Sequence, residues 1–107
     1  MTQEEIKKAC NAMFTGGTFE TTSSLGYFIK VCNNRIFVDN VSVARVNGNR
    51  LYVSVVNSRN QTTRDLLNAL PNCHIVRDNG VYKLNGTAWD GGWFRVVDDL
   101  YKHEDDL

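Results

Sequence analysis

An α+β domain is the fold class this sequence predicts, and three observations carry it. A run at helical spacing opens the chain, and a second interrupts its middle. Between and after them lie short stretches of period-two alternation, punctuated by Asn-Gly type turns. Strands that succeed one another through tight turns pair antiparallel. The expectation is a small single domain, an N-terminal helix plus a mostly antiparallel twisted sheet of about five to seven strands with one central helix. Residues 1–97 form that domain. The acidic segment 98–107 is expected as a frayed helix or as disorder.

The elements follow in order. Thr2 and Glu5 have the T-x-x-E spacing of a capping box. Ile6, Cys10, Met13 and Phe14 then fall on one helical stripe, and Gly16-Gly17 ends it. Thr18 to Ser24 is polar and reads as a loop. From Leu25 the period becomes two, with Tyr27, Ile29 and Val31 alternating with Phe28, Lys30 and Cys32. Asn33-Asn34 is a tight turn because asparagine tolerates positive φ. Ile36 and Val38 continue the strand pattern, Val41 to Val46 gives another strand, and Asn47-Gly48-Asn49 is the strongest hairpin signal. Leu51, Val53 and Val55 face one way and Tyr52, Ser54 and Val56 the other. A helix from about Asn60 to Leu70 follows, with Ser58 and Gln61 at capping-box spacing and Pro71 closing it. His74–Val76, Val81–Leu84 and Trp93–Val97 read as short strands, separated by Asn79-Gly80, Asn85-Gly86 and Asp90-Gly91-Gly92.

At 107 residues and 42% hydrophobic, the chain can bury one core. It begins at Met1 without an apolar signal region, and its apolar runs are too short to cross a bilayer, so no membrane partner and a cytoplasmic location are expected. Cys10, Cys32 and Cys73 are odd in number and irregularly spaced. They read as small buried residues in a reducing compartment rather than a disulfide framework. The net charge is zero but unevenly placed. Residues 30–83 carry eight basic side chains against three acidic ones, and residues 90–107 carry six acidic against two basic.

Three constellations are candidates for function. At the entry to the central helix, Ser58, Arg59, Asn60 and Arg64 combine hydroxyl, amide and guanidinium groups suited to an anion or a partner carboxylate, with Arg59 supplying a bidentate fork. The bland alternative has Ser58 capping the helix, Thr62 and Thr63 exposed, and Arg64 paired with a nearby carboxylate. Trp89, Trp93 and Arg95 offer aromatic and cationic contact surface, as hot spots toward a protein or as stacking platforms for bases. The alternative is that the aromatics fill the core. Asp98, Asp99, Glu104, Asp105 and Asp106 can steer association or mimic a phosphate backbone, or simply solubilise the chain.

The order of a strand, then Ser58-Arg59-Asn60-Gln61, then a helix with Arg64 and Leu67 resembles small phage and prophage proteins of unknown function. Those carry a strand followed by a Ser-Arg-His-Gln type segment and a helix. The resemblance covers about the middle third of the chain and departs from the pattern at Asn60, which takes the place of histidine. It implies a phage-like origin and brings no activity with it.

Catalytic patterns are poor. His74 adjoins Cys73, and neighbours on a strand point to opposite faces. A zinc site would need Cys32, Cys73 and His74 plus a distant fourth ligand, and no metal or cofactor is expected. The leading expectation is therefore a non-enzymatic binding module, a phage-type inhibitor or adaptor that occludes a host protein. Trp89, Trp93 and Arg59 would be its anchors. The alternatives are a nucleic-acid-binding protein using the basic 30–83 region, and a small metal-dependent hydrolase or nuclease using Asp98 or Asp99. A homo-oligomer is compatible with each.

Overall fold

The computed structural model describes residues 1–97. The expectations for 98–107, including the five acidic steering residues, lie outside the described residues. The described residues form an α+β domain with two helices and two antiparallel sheets. Helix α1 (Gln3–Thr15) is followed by β1 (Phe19–Thr22), β2 (Phe28–Cys32), β3 (Arg35–Val38), β4 (Val41–Asn47) and β5 (Arg50–Val53). Helix α2 (Gln61–Leu67) then precedes β6 (Ile75–Asp78), β7 (Val81–Leu84), β8 (Thr87–Ala88) and β9 (Phe94–Val97). The larger sheet has the order β1-β2-β3-β4-β5-β9, and the smaller has β6-β7-β8.

Local chemistry explains most of these elements. The capping box of α1 is formed: Thr2 Oγ1 accepts from Glu5 N at 3.1 Å, and Thr2 N donates to Glu5 Oε1 at 3.0 Å. Thr21 Oγ1 donates to Glu5 Oε2 at 2.7 Å, which ties the helix start to β1. The backbone bond from Thr2, then the Thr21 hydroxyl, hold the Glu5 carboxyl below the usual range. Gly16 ends α1 at φ 75°, the left-handed cap that its missing Cβ permits. The two-residue turns Asn33-Asn34, Asp39-Asn40, Asn79-Gly80 and Asn85-Gly86 each place both residues at positive φ. That is the type I′ pattern, whose twist suits a hairpin. These turns fix the register, and with it the face on which each side chain lies.

Core residues come from one face of each element. Ile6, Ala9 and Met13 of α1 meet Ile29, Val31, Ile36, Val38, Leu51 and Val53 of the large sheet, and Leu66 and Leu67 of α2 close the layer. Ile75, Tyr82 and Leu84 join from the small sheet. Asparagine side chains attach that sheet: Asn68 exchanges two bonds with Ile75, and Asn72 Nδ2 donates to Val96 O at 2.6 Å. Both helices therefore lie on one side of the large sheet.

Several expectations are corrected. Residues 19–22 are strand rather than loop, because Thr21 and Phe19 pair with Ile29 and Val31 and face the core. The central helix is shorter than expected, and its cap is Asn60, whose Oδ1 accepts from Thr63 N at 2.9 Å. Ser58 does not cap it. Its hydroxyl is buried against Thr63 Oγ1 at 2.7 Å instead. Thr62 and Thr63, read as exposed, are buried because α2 packs on both α1 and β4. Cys10 and Cys73 are buried, but Cys32 is half-buried, since its position in β2 points away from the core.

Candidate functional site

The structure separates the sequence-level candidates into two places. Ser58, Arg59, Asn60 and Arg64 cluster beside Tyr82 of the small sheet. The Arg59 guanidinium lies 5.1 Å and that of Arg64 5.9 Å from the centre of the Tyr82 ring. Arg64 also donates to Tyr82 Oη at 3.2 Å and to Gln61 Oε1 at 2.9 Å, rather than pairing with a carboxylate. Arg59 donates to Asp90 O at 2.8 Å, which anchors the loop leading to β9. Asn60 Nδ2 donates to Ser58 Oγ at 3.1 Å. These polar groups are largely spent on one another. They join the helix entry to the small sheet and to the Asp90 loop.

Trp89 belongs to this structural set. It is half-buried against the core, and its Nε1 donates to Gly92 O at 2.9 Å. Trp93 is different: 45% of it is exposed, and its ring lies 4.8 Å from the Arg45 guanidinium. The same guanidinium lies 4.9 Å from the Tyr52 ring, so Tyr52, Arg45 and Trp93 form a stack. Arg95 stands directly across from Tyr52 and shares its face. The two tryptophans thus end one short loop and serve opposite purposes.

The stack lies on the side of the large sheet turned away from both helices. Strand alternation places further residues on this outer face. Lys30 is paired with Phe37, Arg35 with both Cys32 and Arg45, and Arg50 shares the outward phase of Tyr52. Phe28 is 37% exposed on the same side. The face therefore combines Lys30, Arg35, Arg45 and Arg50 with Phe28, Phe37, Tyr52 and Trp93. Among outward strand positions the one carboxylate is Glu20, on the edge strand β1.

Among the described residues, cations outnumber carboxylates on this face: Glu20 stands directly across from Lys30, while no carboxylate stands across from Arg35, Arg45 or Arg50. Among the described residues the ion pairs are Lys8–Glu4 and Lys83–Asp78, and none of Lys30, Arg35, Arg45 or Arg50 takes part in one. Arg35 and Arg45 sit directly opposite each other across β3 and β4, an arrangement that costs energy without an intervening anion. Two sheltered polar atoms, Ser42 Oγ and Arg45 Nε, have no hydrogen-bond partner among the described residues, and both belong to outward-phase residues of β4. Lys30, Arg35, Arg45 and Arg50 belong to the basic 30–83 region evident in the sequence, but the sequence does not show that they share one face with Tyr52 and Trp93. Their outward phase was legible from alternation, but their neighbourhood required the strand order.

Among the described residues, no three His, Cys, Asp or Glu side chains gather in a metal-holding group. His74 is exposed while Cys73 is buried, so the adjacent pair does not converge. Burial pushes the Cys10 thiol up to about 11 and the Cys73 thiol up to about 12, the opposite of an activated nucleophile. No described helix is long and apolar enough to cross a membrane. Fold and site together define an α+β domain that presents an open sheet face of cations and aromatic rings. No protein-family model, curated protein or solved structure matches this chain.

Proposed function

We propose that the protein is a non-enzymatic binding module that covers an anionic surface of a partner macromolecule with the outer face of its large sheet. The observation that carries this reading is a set of four cations, none in an ion pair with another described residue, among four aromatic rings, with Arg35 and Arg45 opposed. An anion placed between them turns repulsion into attraction, and the rings supply apolar contact beside it. Occlusion of the covered surface is the effect on the partner, as for an inhibitor or adaptor of the phage type. Three free thiols support a reducing, cytoplasmic setting.

Retention on a heparin matrix tests the face. The double variant Lys30→Glu, Arg50→Glu should elute at distinctly lower salt than the wild type. The variant Lys7→Glu, Lys8→Glu makes the same change in net charge on exposed positions of α1 and should elute as the wild type does. Equal shifts for the two variants would mean that net charge alone governs retention, and would sink the proposal.

A further inference from the structure

We infer that the anionic partner is a single strand of nucleic acid, laid across β2 to β9 with its bases on the aromatic rings and its phosphates on the cations. This rests on the outer face being the binding surface. Three features of that face favour a nucleic-acid strand over an acidic protein surface. First, cations and rings alternate in space: Lys30 lies across from Phe37, and Arg45 is held between Tyr52 and Trp93. A nucleotide chain repeats charge and flat ring in the same way, whereas a carboxylate cluster uses only the cations. Second, Trp93 closes one end of the stack with nearly half of its surface open, so a base on its free side extends the stack by one layer. Third, two of the rings have a partner before binding, since the Arg45 guanidinium lies against both Tyr52 and Trp93, so ordering them on contact costs less side-chain entropy.

The shape of the face selects a single strand over a duplex. From β2 to β9 it spans four interstrand spacings, about 19 Å, too broad to enter a groove about 12 Å wide. Rings on a sheet face reach base faces only where the bases are unstacked. A surface of this extent accommodates about two or three bases. The phosphates between them fall within reach of Arg35, Arg45 and Arg50, and an anion beside Arg35 and Arg45 relieves their opposition.

The test is a titration of the whole protein into a fluorescently labelled oligothymidine of about a dozen nucleotides, followed by anisotropy. The single strand should bind at least about tenfold more tightly than a duplex of the same length, and its affinity should fall roughly 50-fold between about 50 and 200 mM salt, as expected for about four phosphate contacts. Trp93→Ala should weaken binding about tenfold, while Trp93→Phe, which keeps a stacking ring, should retain most of it. Arg35→Ala, at an exposed position, should lower the salt slope by about 0.7. Equal affinity for strand and duplex, or indifference to Trp93→Ala, would overturn the inference. If heparin retention still depends on Lys30 and Arg50 while the oligonucleotide does not bind, the occupant is an acidic protein surface: this inference fails and the binding-module reading stands. Loss of both results removes both.

Discussion

Asn60 and Ser58 stand two residues apart and both carry an oxygen able to cap a helix, yet only one does so. Asn60 has extended backbone, φ −141° and ψ 165°, and its amide oxygen reaches Thr63 N. Ser58 is drawn inward because its hydroxyl and that of Thr63 satisfy each other in a buried position. Asn60→Ala should therefore destabilise the protein by about 1 kcal/mol in urea unfolding, and Asn60→Asp should preserve most of the cap. An unchanged midpoint for Asn60→Ala would return the capping role to Ser58. The rule for spotting a cap was correct in kind and two residues off in place. Ser, Asn and Thr compete for the same N–H groups, and their tertiary partners decide among them.

At the scale of an element, the loop 89–93 controls where Trp93 points. Gly91 O accepts from Val55 N at 2.8 Å and from Ser54 Oγ at 3.0 Å, Arg59 holds Asp90 O, and Trp89 Nε1 holds Gly92 O. Gly91 has φ 90°, and a Cβ there would stand 3.0 Å from Val55 Cγ2. Gly91→Ala should cost about 2 kcal/mol, from strain and from crowding together, and should disturb the Trp93–Arg45 stack. Gly48→Ala, at φ 63° with open space around it, carries the conformational share alone, about 1 kcal/mol. Equal losses in chemical unfolding at the two positions would show that the contact at Val55 contributes nothing. Asp90-Gly91-Gly92 was recognisable as a turn from composition. Its bonds to residues more than thirty positions away were not.

Across the whole molecule, burial divides the three thiols. Cys10 and Cys73 lie in the core and hold their protons up to about 11 and about 12, against an ordinary value of 9.0 that applies once the chain unfolds. Because the folded values are raised, their contribution to stability is complete below about pH 9 and is lost as pH rises toward the folded values. Unfolding free energy should accordingly fall between about pH 8 and pH 10, by about 1 kcal/mol for each thiol. Cys73→Ala should show a shallower fall. An unchanged pH slope in that variant would show that the Cys73 thiol does not contribute.

What the sequence determined by itself is mostly local. The α+β class, the capping box at Thr2 and Glu5, the glycine stop at Gly16 and the Asn-rich turns all rest on neighbours a few residues apart, and such interactions are written directly into residue order. Alternation also assigned Ile29, Val31, Leu51 and Val53 to a common kind of face. The tertiary structure decided what the local pattern leaves open. Residues 19–22 became a strand because β2 offered an edge to pair with and Phe19 packs against the core, and β9 crossed from later in the chain to complete the sheet beside β5. That crossing brought Trp93 to Arg45 and Tyr52, and so made one surface out of residues from five strands. Alternation can tell a residue that it faces away from the core. Only strand order tells it which charges and rings it faces away with.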